Sequence, residues 1–157
     1  MKLLVIDIQK GITDSRLFNF EAFIDDTIRI IKAARDNQIE VIYFQHDDGS
    51  GTGFSIGDED FEIAEQVIPK EGEKIFTKNI NSCFGNKDFT DYVKDENTLM
   101  IVGLQTNFCI DATVKSAFER GYKVIVPQGA NSTFDNDYMS GEETYKYYND
   151  MMWPMRF

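Results

Sequence analysis

Asp7, Lys78 and Cys109 are the residues of this sequence whose types and placement add up to chemistry. Cys109 lies in the segment Met100-Ile101-Val102-Gly103-Leu104-Gln105-Thr106-Asn107-Phe108-Cys109-Ile110-Asp111-Ala112-Thr113. The apolar start reads as a buried strand ending at Gly103, and a short polar turn then opens a helix that runs to Gly121. The cysteine is therefore expected on the first turn of a helix, just past the carboxyl edge of a sheet. Free N–H groups and the positive end of the helix dipole favour a thiolate there, with a lowered thiol pKa. The plainer reading is a cysteine used as a small apolar packing residue.

Asp7 follows a first strand and Lys78 ends a third. Each alone says little, since acids after first strands are common in α/β proteins and a strand-end lysine is usually a solvated cap. Together at one edge of one sheet they make a working set. A carboxylate can take the thiol proton, and a lysine can hold that carboxylate ionised and offset charge on sulfur. The thiolate then attacks a carbonyl-type carbon, and a backbone pocket stabilises the oxyanion.

The elements that must position these groups alternate along the chain. Strands are expected at Leu3 to Ile6, Glu40 to Gln45, Glu73 to Thr77, Thr98 to Val102 and Tyr122 to Val126. Helices are expected at Phe20 to Asn37, Lys87 to Val93, Cys109 to Arg120 and Glu142 to Met151. In the first of these, Phe23, Ile24, Ile28, Ile31 and Ala34 recur at helical spacing. The glycine- and acid-rich stretch from His46 to Asp60 reads as an exposed, mobile loop. Continuous apolar strands separated by helices imply an α/β fold of three layers, α/β/α, around a central, mainly parallel sheet. In such sheets the ligand site lies beyond the carboxyl ends of the strands.

A chain of 157 residues, 42% hydrophobic and 13% aromatic, fits one domain over 1–157 with one core. A net charge of −11 argues against nucleic acid and against anionic membrane surfaces. No apolar run is long enough to span a bilayer. Met1-Lys2-Leu3-Leu4-Val5-Ile6-Asp7 enters a strand directly, so a cytoplasmic location is expected. Two cysteines make no disulfide framework, and both are expected reduced.

The blocks Val5-Ile6-Asp7-Ile8-Gln9, Thr77-Lys78-Asn79-Ile80-Asn81-Ser82-Cys83-Phe84 and Gly103-Leu104-Gln105-Thr106-Asn107-Phe108-Cys109-Ile110 resemble, in order and spacing, the isochorismatase-like cysteine hydrolases. Nicotinamidases, carbamoylsarcosine amidases and isochorismatases belong to that superfamily. The closing Asp150-Met151-Met152-Trp153-Pro154 is similar too, so the resemblance covers essentially the whole chain. It implies a Rossmann-like topology and an Asp-Lys-Cys triad at Asp7, Lys78 and Cys109. It also implies a non-proline cis peptide at Leu104–Gln105, with the N–H groups of Gln105 and Cys109 as oxyanion hole. Such a bond costs about 3–4 kcal/mol in general, so it persists where function or packing demands it. The reaction implied is hydrolysis of a small amide or related C–N bond through a thioester intermediate.

The departures from the family pattern bear on cofactors. Metal-binding members place an Asp and several His beyond the second strand, whereas this chain has one histidine, His46, followed by Asp47 and Asp48. No second nitrogen ligand is on offer there, so no metal and no cofactor are expected, and His46 is read as capping its strand and lining the pocket mouth. The chain is short against the family, which implies a trimmed lid or oligomer-contact segment. Gln9, His46, Phe84, Phe108 and Phe134 are the candidate pocket residues, although aromatics at such positions are more often core. Cys83 is read as packing, and Asp58, Glu59, Asp60 and Glu62 as a solvated loop without the order of a calcium site. The aromatic tail from Tyr145 to Trp153 either covers the core or is buried in a partner subunit, and a homo-oligomer, dimer or tetramer, is expected.

Two other readings compete with cysteine hydrolysis of a small-molecule substrate. An isochorismatase-type vinyl-ether hydrolase needs an acid and no nucleophile. A receiver-like signalling module also pairs an aspartate near strand one with a strand-end lysine. It gives no reason for a cysteine behind Gly103-Leu104-Gln105-Thr106, and it places further acids near strand one, where this chain has only Asp7. The sequence does not choose the substrate.

Overall fold

The computed structural model describes residues 1–154; the last three residues of the expected 1–157 domain lie outside the described residues. Among the described residues six strands form one sheet: β1 (Lys2–Ile6), β2 (Glu40–His46), β3 (Lys74–Lys78), β4 (Thr98–Leu104), β5 (Lys123–Ile125) and β6 (Asn131–Ser132). The order is β3-β2-β1-β4-β5, with β6 also on β4, and every pairing within it is parallel. Among the described residues four α-helices cover the sheet: α1 (Phe20–Asp36), α2 (Lys87–Val93), α3 (Asp111–Glu119) and α4 (Gly141–Lys146). This is the three-layer α/β architecture expected from alternating strands and helices.

The strands are apolar throughout, and the period-two alternation of side-chain direction sorts the core onto the two faces. Leu3, Val5, Val41, Tyr43, Val102 and Leu104 join α1 on one side, while Leu4, Ile6, Ile42, Phe44, Leu99 and Ile101 join residues of α2, α3 and Trp153 on the other. Each such residue, fully buried, contributes about 1.5–3 kcal/mol. On α1 the buried stripe is Phe23, Ile24, Thr27, Ile31 and Ala34. Thr27 takes the place expected of Ile28, which is 39% exposed because it lies a further 100° around the helix. No helix among the described residues is long and apolar enough to cross a membrane.

Boundaries differ where backbone geometry overrides apolar pattern. The helix expected from Cys109 is preceded by a π-helical turn over Thr106–Ile110 and becomes α-helical only at Asp111. The last helix divides likewise into α4 and a π-helical stretch, Tyr147–Met152. The two-residue β6 is too short to leave a pattern in sequence, yet it continues the track of β5 along β4 up to the sheet edge that carries the site.

Candidate active site

Three strand ends deliver three side chains to one point. β1 stops at Ile6, and Asp7 turns off its line in the left-handed region at φ 53°, with its N–H donating to Phe44 O at 3.1 Å. Aspartate is among the few non-glycine residues that tolerate this conformation. β4 lies against the same spot, with Gly103 paired to Ile6. A Cβ on Gly103 would stand 2.0 Å from Ile6 O, and its φ is +126°, so only glycine lets the strands meet there. Lys78 is the last residue of β3, in register with His46 at the end of β2. Cys109 rides the π-helical turn, where Gln105 O accepts from Phe108 N at 3.1 Å and Ile110 N at 3.2 Å. Such turns recur at functional sites.

The Lys78 ammonium is the hub. Its Nζ donates to Asp7 Oδ2 at 2.7 Å and to Cys109 Sγ at 3.3 Å, and lies 3.0 Å from His46 Nδ1. Its side chain is fully buried, and that of Asp7 is 2% exposed. The second carboxylate oxygen, Asp7 Oδ1, has no hydrogen-bond partner in this buried setting. Burial raises the Asp7 pKa, against the lowering pull of Lys78, which makes Asp7 a stronger base than a solvated carboxylate. Burial alone would lower the Lys78 pKa, but its acceptors outweigh that and hold it protonated. The ammonium is held by three acceptors, and the carboxylate by Lys78 and, more weakly, by the Cys109 thiol.

The thiol departs from the sequence expectation. Burial first, and the Asp7 charge second, push Cys109 up to about 12, with Lys78 only partly opposing them. The expected lowering assumed an α-helical N-terminus acting on a solvated sulfur. Here the sulfur is buried behind a π-helical turn and faces a lysine already paired with a carboxylate, so it rests as a thiol. Cys83, fully buried, is also pushed up, and its N–H donates to Thr113 Oγ1.

The remaining expected residues divide. His46 joins the cluster itself, its Nε2 3.1 Å from Asp48 Oδ1. Gln9 is fully buried and binds backbone: its Nε2 donates to His46 O at 3.1 Å and Phe61 O at 2.8 Å, and its Oε1 accepts from His46 N at 2.8 Å. It supplies the pairing that β1 would have given β2 had the strand continued. Phe84 packs in the core against Phe89 and Tyr122. Phe134 packs on the α1 side under the Arg16 guanidinium, whereas Phe108 stands 52% exposed beside Cys109. The Leu104–Gln105 peptide is cis. Leu104 is buried, and Gln105 Oε1 lies 3.1 Å from Thr133 Oγ1. Sequence reasoning passed over Asn81, whose Oδ1 lies 3.8 Å from Cys109 Sγ, and Asn131, which accepts from Thr106 Oγ1 at 2.7 Å. Asn81 stood inside a quoted block; nothing marked Asn131, since only β6 brings it to the turn.

Among the described residues, the three possible metal ligands that gather together are Asp7, His46 and Cys109, with ligand atoms all within 4.8 Å of one another, and not the His46-Asp47-Asp48 run. Asp47 turns instead to cap Gly49 N at 2.8 Å. The Lys78 ammonium already sits among the three donors, so a metal ion would have to displace a buried cation. A cleft of about 390 Å³, by Phe18, Arg29 and Tyr145, holds no residue of the cluster, while one of about 380 Å³, by Asp47, Asn79 and Asn86, reaches it through Lys78 but is not lined by Cys109. The convergence of titratable groups, and not cleft volume, marks the site.

The isochorismatase domain profile matches residues 2–147. The isochorismatase family protein YddQ of Bacillus subtilis is 32% identical over 138 residues, covering 83% of this chain and 77% of that one. A streptothricin hydrolase of Streptomyces noursei is 25% identical, covering 85% of this chain and 54% of its own length. A crystal structure of an isochorismatase family protein superposes with a TM-score of 0.88 at 26% identity, over 99% of this chain and 94% of the other. The strand order bears on the receiver reading as well: receivers run 2-1-3-4-5, and this sheet runs 3-2-1-4-5.

Proposed function

This chain belongs to the isochorismatase family of hydrolases, and from that premise we propose that it cleaves a small amide or related carbon–nitrogen bond through a thioester on Cys109. The observation that carries the reading is the enclosed set in which Lys78 Nζ stands 2.7 Å from Asp7 and 3.3 Å from Cys109. A thiol at about 12 does not ionise unaided at neutral pH, so its proton leaves as the sulfur attacks. Asp7, a buried base with a bare oxygen, takes that proton while the S–C bond forms. The oxyanion is held by the N–H groups of Gln105 and Cys109. Collapse breaks the C–N bond, and Asp7 returns the proton to the leaving nitrogen. Water, deprotonated by Asp7, then opens the thioester, and the sulfur regains its proton. Lys78 offsets negative charge wherever it resides in this cycle.

The substrate is a small molecule, since the thiol residue is only 8% exposed, and no cofactor is called for. A net charge of −11 speaks against nucleic acid and membrane partners. The working form in this reading is a homo-oligomer, dimer or tetramer, in which a second copy covers the exposed Phe108 beside the thiol, and light scattering checks its mass.

Ammonia release across a panel of small amides tests the reaction. One amide should be turned over, with an acyl adduct on Cys109 visible by mass spectrometry, and Cys109→Ala should abolish both. Full activity in Cys109→Ala would overturn the thioester reading. Turnover of a vinyl ether by that variant would point to acid catalysis by Asp7 without a nucleophile.

A further inference from the structure

We propose that His46, oriented by Asp48, is a positioning residue whose neutral Nδ1 takes one ammonium hydrogen of Lys78 and thereby aims the other two at Asp7 and Cys109; the inference rests on the cysteine-hydrolase reading above. An ammonium has three donors and no acceptor. Lys78 Nζ has three neighbours at hydrogen-bond distance, Asp7 Oδ2 at 2.7 Å, His46 Nδ1 at 3.0 Å and Cys109 Sγ at 3.3 Å. The three donors and three acceptors match with none to spare. Without the imidazole one ammonium hydrogen is unmet in a side chain with no solvent exposure, and the head group is free to rotate off the other two.

The match fixes the tautomer. Since the ammonium cannot accept, Nδ1 must, and the ring proton belongs on Nε2, which lies 3.1 Å from Asp48 Oδ1. Asp48 is about half exposed, so its charge adds little energy; its acceptor oxygen selects the tautomer. The backbone of His46 is held for the task. It is the last residue of β2, in register with Lys78, and Gln9 grips both its N–H and its C=O. A histidine that only capped its strand would need neither the imidazole–ammonium contact nor a fixed tautomer.

His46 is the chain's one histidine, so its ring nitrogens can be followed without assignment ambiguity. Nitrogen-15 spectra of the intact protein at neutral pH should show Nε2 protonated and Nδ1 bare, and Lys78→Met should shift the Nδ1 resonance. The second readout is the rate of Cys109 alkylation by iodoacetamide at pH 7, which needs no knowledge of the substrate. His46→Leu should slow it about tenfold or more, the usual effect of losing a hydrogen bond to a charged group. His46→Asn, which restores an acceptor near Nδ1, should recover most of the rate, and Asp48→Asn should cost no more than a few-fold. If His46→Leu fails to fold, the tautomer of the parent and the His46→Asn rate still decide. A proton on Nδ1 in the parent, or a leucine variant alkylated at the parental rate, would overturn the proposal. Failure of the hydrolase reading shows elsewhere, as amide turnover surviving in Cys109→Ala.

Discussion

Replacing Lys78 by methionine removes a cation while keeping an aliphatic chain of similar length, and its main consequence falls on Asp7. That carboxylate is 2% exposed, and Lys78, at 2.7 Å from Oδ2, is the cation that holds it. Taking away one partner of a buried ion pair costs about 3–5 kcal/mol when the other stays charged. Asp7 can avoid the cost by binding a proton, a tendency already present because burial raises its pKa above 3.8. Without Lys78 the folded-state pKa climbs further. A carboxyl whose folded pKa exceeds its unfolded one holds more protons when folded. Its contribution to stability is complete below the unfolded pKa and is lost as pH rises through the folded pKa, at about 1.4 kcal/mol per unit. Lys78→Met should therefore match the parent closely near about pH 4 and fall behind by about 3–5 kcal/mol near about pH 8. Urea unfolding across that range, followed by tryptophan fluorescence, measures it. Adding Asp7→Asn removes the titrating group, so the double variant should regain most of the loss and no longer fall behind as pH rises, while staying inactive. A pH-independent loss below about 1 kcal/mol, or a double variant no more stable than the single, would refute the claim that Lys78 keeps a buried carboxylate ionised.

Gly103→Ala should destabilise by about 2–5 kcal/mol, combining backbone strain at φ +126° with a Cβ driven onto Ile6 O, and it should depress activity by parting Asp7 from Cys109; thermal melts and turnover check both. In folded protein iodoacetamide should label Cys109 and spare Cys83, which is fully buried, and the two should label alike in urea; equal labelling before unfolding would contradict the placement of Cys83. Asp7→Asn should lower kcat by about 10²–10⁴ with the fold retained by circular dichroism, since the amide keeps the shape and loses the base. Chelator treatment should leave activity intact, because the Asp7, His46 and Cys109 donors already enclose the Lys78 ammonium; about one tightly held transition metal per chain by elemental analysis would contradict this.

The layers were legible in the chain, and so was the meeting of three candidate groups at one sheet edge. Continuous apolar strands such as Leu3 to Ile6 and Glu40 to Gln45 encode a sheet covered on both faces, and the local strand period sorts their side chains between the two. Strand ends in a parallel sheet share one edge, so Asp7, Lys78 and Cys109 were legible as a group before any coordinate. What tertiary structure alone decided was electrostatic and long-range. The sequence suggested an activated thiolate; burial behind a π-helical turn, facing a lysine already paired to Asp7, makes it a resting thiol. His46 read as a pocket-mouth residue because its side-chain partners, Lys78 across the sheet and Asp48 at a turned loop, depend on register and loop path. Gln9 looked like a substrate contact and proved to be the clamp on His46, since nothing local announces that β1 stops two residues short of pairing it. Residue type and period are written in the chain. Proton affinity is set by whatever else the fold brings within a few ångströms, and that is decided only when distant strands meet.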